Sequence, residues 1–199
     1  MREITCYCGT KFEADIPDRV DLDLAPETAN RILEGKFLSV SCPFCGKELK
    51  PEFPVTIVFH DGVETLSFLP ELSRNHFLSG REPSSATEVV IGYPELAEWV
   101  RIREAGLSRE VVEILKYHYL RRADHPGNLS MYFSGKEQEK LGFHIHGLKE
   151  GEIGVSRIPM SVYETVAADI QRLREEEPLR GFLAKPYVSV NNISWEENR

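Results

Sequence analysis

The chain has 199 residues, 41% of them hydrophobic and 28% charged, with a formal net charge of −8 at neutral pH. This is an ordinary globular composition, long enough to bury a core in one domain or in two small ones. The acidic balance argues against nucleic acid as a partner, and no apolar run approaches the roughly 20 residues that cross a bilayer.

The first segment, "ITCYCGTKFEAD", predicts a strand, a turn at Cys6 and Cys8, and a second strand through Phe12 and Ala14. The N-terminal "MREITCYCG" shows no basic segment followed by an apolar one, so a cytoplasmic location is expected. Glu13, Asp15, Asp18, Asp21 and Asp23 outnumber Lys11 and Arg19 here, so the module is itself acidic. Pro26 then falls at the first turn of a helix, "PETANRILEG", which Gly35 is placed to end. Phe37 to Ser41 reads as a strand leading into "SCPFCGKEL".

The four cysteines of the chain are thus two close pairs, Cys6/Cys8 and Cys42/Cys45, about thirty residues apart. That is the pattern of a four-thiolate zinc site, in which two tight turns each supply two soft donors to a tetrahedral ion. Gly9 and Gly46 follow the pairs, where a positive φ lets backbone amides approach the sulfurs, and Pro43 fixes the second turn. Four merely buried thiols would not be paired in this way, and a reducing compartment opposes a disulfide. "CPFC" has the look of a redox dithiol, but that chemistry needs a helix after the first cysteine, and "GKELKPEFP" opposes one. Iron suits the same donors, although a simple ribbon favours zinc. Four thiolates leave no open coordination position, so catalysis by the metal is not implied.

Next, "FPVTIVF" and "VETLSFL" predict a hairpin joined at Asp61-Gly62. The polar "SRNHFLSGREPSSATE" reads as a loop or linker; Ser84 and Ser85 within it lack a nucleophile context. "YPELAEWVRIREA" is a helix with Leu96, Trp99, Val100 and Ile102 at helical spacing, closed by Gly106. Ser108 is placed as the N-cap of "REVVEILKYHYLRR", with Leu107 and Val112 as its staple. His118 and His125 flank the end of that helix, where a cation favours the dipole.

The last third predicts strands at "LSMYFSG", "LGFHIHG" and "EIGVSRIP". A helix "VYETVAADIQRLREEE" follows, opened by a Ser161–Glu164 capping box and stopped by Pro178, and "PYVSVNNISW" reads as an edge strand. The acidic end of that helix needs a basic partner to offset the dipole. His144 and His146, two apart on a strand, share a face. They are candidate site residues for an enzyme, but two side chains do not make a metal site.

With these segments in view the chain resembles the CpXC family. The likeness rests on "CPFCG", on "FEADIPDRVDLDLAPETANRILEGKF" and "PEFPVTIVFHDGVETLSFLPE", and on "ELAEWVRIREAGLSREVVEILK", from about Ile4 to about Leu120. The first pair, C-Y-C, departs from the fuller C-P-x-C. The resemblance implies a metal-binding ribbon and no agreed activity. The expected fold is α+β: a zinc-ribbon-like β module with a long hairpin, a central helical pair and a small C-terminal α+β unit. The expected boundaries are a CpXC-like domain at 1–124 and the C-terminal unit at 125–199. The first divides into a ribbon core at about 1–69, a linker at about 70–90 and a helical pair at about 94–122. The functional expectation is zinc on Cys6, Cys8, Cys42 and Cys45 in a module that binds a protein partner or a second copy of itself, with no membrane and no nucleic acid. An enzyme centred on His144 and His146 is the alternative, and a nucleic-acid-binding ribbon the third reading.

Overall fold

A computed structural model describes residues 1–59, 62–80, 86–193 and 195. The fold is α+β, and by its internal contacts the chain divides into two compact units, Met1–Ala97 and Glu98–Arg199. Among the described residues no helix is long and apolar enough to cross a membrane.

The first unit opens with the hairpin of β1 (Arg2–Thr5) and β2 (Lys11–Ala14), which sets Thr5 opposite Lys11 across the Cys6/Cys8 turn. After β3 (Arg19–Asp21) comes helix α1 (Glu27–Leu33), begun at Pro26 and ended at Gly35 with φ +71°. The strand expected from Phe37 starts later. The Phe37 N–H still donates to the Arg31 carbonyl and Leu38 takes φ +60°, so the chain is leaving the helix until Val40. There β4 (Val40–Ser41) and β5 (Glu48–Leu49) form a second small hairpin around Cys42 and Cys45.

Strands β6 (Val55–Phe59) and β7 (Glu64–Leu69) pair antiparallel; His60 and Asp61 lie outside the described residues, and Gly62 has φ +79°. The segment read as a linker is partly folded. Glu71–Ser73 is a 3-10 turn, α2 spans Arg74–Leu78, and β8 (Glu88–Ile91) completes a sheet ordered β3-β6-β7-β8; Ser84 and Ser85 lie outside the described residues. The polar letters that suggested a loop are internal bonds. Arg74 donates to the Ile91 carbonyl at 3.1 Å and to Glu95 Oε1 at 3.0 Å, while Glu95 Oε2 accepts from the Ile91 N–H at 3.0 Å. Gly92 sits beside this cluster at φ +77°, where a Cβ would come within 2.6 Å of Glu71 Oε2. The backbone conformation therefore selects glycine, whereas the Glu71 carboxylate, the end of a flexible side chain, could swing aside.

Helix α3 (Gly92–Glu104) runs from the first unit into the second, where α4 (Arg109–Leu120) follows. Ser108 occupies the N-cap with extended backbone, but its hydroxyl makes no capping bond; its N–H instead donates to the Tyr163 hydroxyl at 2.8 Å. Burial beside Arg121 and Arg122 holds His118 below the usual imidazole range, which opposes the cationic helix-end role expected of it. Strands β9 (Ser130–Glu137), β10 (Lys140–Lys149) and β11 (Glu152–Pro159) form an antiparallel meander with β10 central. Met131, Phe133, Leu141, Phe143 and Ile145 face inward against Val112 and Leu115 of α4. Tyr132, His144, His146, Val155 and Arg157 alternate onto the other face.

The capping box does not form. Helix α5 (Met160–Ala168) already starts at Met160, whose N–H is satisfied by the Glu139 carbonyl at 2.8 Å, and Ser161 lies within the helix. The predicted long helix also breaks at Asp169 before α6 (Ile170–Leu173), as the Asp169 carboxylate takes the Arg172 side chain at 3.0 Å. Arg172 also meets Glu176, and Arg180 meets Glu177 at 2.5 Å, which supplies the basic cover that the acidic end needed. After α7 (Leu179–Phe182) the expected edge strand is instead a buried segment, with Tyr187, Val188 and Val190 inside and a 3-10 turn at Val190–Asn192. The Ser189 N–H donates to the Phe182 carbonyl at 3.1 Å, and the Val190 N–H donates to Glu113 Oε2 at 2.8 Å.

That bond belongs to a buried ionic cluster. Lys116, 1% exposed, donates to Glu98 Oε2 at 2.9 Å and to Glu113 Oε1 at 2.8 Å, and Glu98 Oε1 also accepts from the Phe133 N–H at 2.6 Å. Three helix side chains thereby fix two stretches of backbone. Burial, only partly offset by Lys116, pushes the Glu98 carboxyl up to about 7 from its ordinary 4.5. Between those values the folded chain keeps a proton that the unfolded chain has released. Stability of the second unit should therefore fall as pH rises through this window, by on the order of 1 kcal/mol per unit. Urea unfolding followed by the fluorescence of Trp99 and Trp195 checks this: the midpoint should be higher at pH 5 than at pH 8, and Glu98→Gln should flatten the difference.

Candidate metal centre

Each cysteine pair is held by one of the two small hairpins. In the second, the Cys42 N–H donates to the Lys47 carbonyl and the Gly46 N–H to the Cys42 carbonyl, both at 2.9 Å. In the first, the Cys6 N–H donates to the Thr10 carbonyl at 2.8 Å and the Gly9 N–H to the Cys6 carbonyl at 2.9 Å. The first turn is thus the second with one residue removed, closing three residues on instead of four. This is how a one-residue gap still presents two sulfurs to the same side. Gly9 and Gly46 take φ +87° and +72°, and a Cβ at either would meet nothing within 4 Å. Conformation, not space, selects glycine at both.

The four Sγ atoms all lie within 4.8 Å of one another. Cys6 and Cys45 are 3.6 Å apart and Cys8 and Cys42 3.8 Å, so the close approaches cross from one knuckle to the other. A disulfide would bring the sulfurs to about 2.05 Å. A tetrahedral zinc tetrathiolate, with Zn–S near 2.3 Å, has S···S edges of about 3.8 Å. The spacing and the soft donor set therefore fit one metal ion. Among the described residues this is the group of His, Cys, Asp and Glu side chains placed to share an ion.

Electrostatics tell the same story. A hydrogen bond between Cys8 Sγ and the Thr10 hydroxyl, 3.4 Å apart, together with the Thr10 amide, brings the Cys8 thiol down to about 6. The Cys45 and Phe44 amides lower Cys42. For Cys6 the Cys8 amide alone would do likewise, but burial and the three neighbouring thiols outweigh it and push the group up to about 12. Amides aimed at sulfur favour thiolates, and crowding stops all four from ionising together without a cation. Cys6 and Cys42 are buried, Cys8 and Cys45 exposed. At the two tips Tyr7 and Phe44 are 84% and 79% exposed, and Lys47 of one knuckle places Nζ 4.6 Å from the centroid of the Tyr7 ring on the other.

The structure does not bring His144 and His146 into a comparable cluster. Both are exposed on the outer face of the β9–β11 sheet; His146 meets the Tyr132 ring edge-on at 5.9 Å, and His144 alone lines a depression. What sequence reasoning missed is the Glu98–Glu113–Lys116 cluster. Its signal was Glu113 and Lys116 set among Val111, Val112, Ile114 and Leu115, a helix apolar on too many sides to leave those charges in water.

The family model described as "CpXC protein" matches residues 4–116, more than half of the chain. A protein of Treponema pallidum (strain Nichols), described as uncharacterised, is 29% identical over 216 residues, covering 97% of this chain and 98% of that one. No solved structure matches. The matched segment contains both knuckles and the cross-knuckle sulfur cluster, and the chain belongs to the CpXC family.

Proposed function

We propose that Cys6, Cys8, Cys42 and Cys45 hold one Zn²⁺ as a structural zinc ribbon in a cytoplasmic protein, and that the ribbon serves contact with another protein or a second copy of the chain. The observation that carries the zinc assignment is the convergence of four sulfurs within 4.8 Å of one another, with the two cross-hairpin pairs at 3.6 and 3.8 Å. Zinc would be held in a closed all-thiolate set, with no position left for substrate or water. Its contribution is to tie β1–β2 to β4–β5; the knuckle amides and Thr10 favour the thiolate forms of Cys8 and Cys42.

The contact role is supported by the aromatic pair that the knuckles push into solvent. Tyr7 and Phe44 give a rigid apolar surface with Lys47 beside it, the residue types that anchor protein interfaces. Acidic residues around the ribbon, among them Glu3, Glu13 and Asp15, disfavour nucleic acid. Sedimentation of the purified chain over a concentration series tests this. The wild type should associate, and Tyr7→Ser with Phe44→Ser should keep its metal but lose at least tenfold in association. Unchanged association with metal retained would contradict the role of the tips.

A further inference from the structure

We propose that the outer face of the β9–β11 sheet binds a small oxyanion, a phosphate ion or the phosphate group of a small ester, between Lys140, His144 and Arg157. The site lies beyond the residues that the family model matches. Gly135, Gly142 and Arg157 form one cross-strand row, and the two glycines remove the side chains that would cover the sheet there. Backbone thus floors a depression of about 210 Å³, open enough for the rest of an ester to remain in water. Lys140 and His144 project from β10 on either side of Gly142, onto the same face as Arg157. Ser134, the extra residue of the bulge where the β9–β10 register shifts, adds a hydroxyl.

The chain is strongly acidic, and elsewhere in this unit Lys149, Arg172 and Arg180 each hold a carboxylate. Lys140, His144 and Arg157 make no side-chain hydrogen bond or ion pair with any described residue. Their donors are therefore open toward the depression, and a planar guanidinium beside an ammonium is the arrangement that grips a tetrahedral oxyanion. Glu137 also lines the depression. Its carboxylate repels a dianion and sets a ceiling on affinity, which gives the site a signature that general surface charge would lack.

The test is an amide NMR titration of the full chain with inorganic phosphate, and separately with glycerol 3-phosphate, at constant ionic strength with chloride as the balancing ion. Saturable shifts confined to Gly135, Gly142, His144 and Arg157 are expected. Tighter binding of the ester would identify a phosphorylated metabolite as the ligand, and equal binding the free ion. Lys140→Gln with Arg157→Gln should weaken binding at least tenfold, and Glu137→Gln should tighten it several-fold; all three positions are exposed, and unchanged spectral dispersion verifies folding. Shifts that fail to saturate, that spread to Lys136 and Lys149, or that survive the double substitution would overturn the proposal.

Discussion

Removing the metal is expected to unfold the two knuckles. A closed zinc tetrathiolate contributes on the order of 10 kcal/mol of folding free energy, because the unfolded chain has no preformed site. β1–β2 and β4–β5 are short, and two-strand hairpins are marginal in water. Hydrogen exchange reads the effect directly. With metal bound, the Cys6, Gly9, Cys42 and Gly46 amides should be protected through their turn bonds, and a strong chelator should abolish that protection. Cys42→Ser, which removes a buried ligand, should do the same without chelator. Protection that persists in both cases would mean that the turns stand without an ion.

The second large effect lies in the buried ionic cluster. Lys116→Met leaves Glu98 and Glu113 facing each other without a counter-charge, and breaking a buried ion set from one side costs about 3–5 kcal/mol. Urea unfolding followed by tryptophan fluorescence should show that loss. Adding Glu98→Gln and Glu113→Gln to Lys116→Met should recover most of it. The amide oxygens can still accept from the Phe133 and Val190 N–H groups, while the uncompensated charges are gone. A loss under about 0.5 kcal/mol for Lys116→Met would show that the two carboxylates do not depend on the lysine for charge.

Sequence pattern revealed those parts of the molecule whose structure is local. The knuckles follow from cysteine spacing and two glycines, the β6–β7 hairpin from two β-branched runs, and α3 and α4 from apolar spacing. Three of the failures share one physical cause: polar groups that found distant partners. "SRNHFL" looked like loop because it is polar, yet Arg74 is spent on Ile91 and Glu95. "YVSV" alternates like an edge strand, but Glu113, far away in sequence, takes its backbone N–H. Ser161 had the spacing of a cap, and a carbonyl from the β9–β10 turn took that role first. The cysteine cluster was legible for the opposite reason: its thiols announce themselves in pairs. Only the equivalence of a one-residue and a two-residue gap needed coordinates.

X-ray absorption at the zinc edge of the purified chain, alongside its metal content, tests the central claim most directly. One zinc per chain with four sulfurs at about 2.3 Å is the expected result. Iron in its place, nitrogen or oxygen in the first shell, or four cysteines that take up no stoichiometric metal would contradict it.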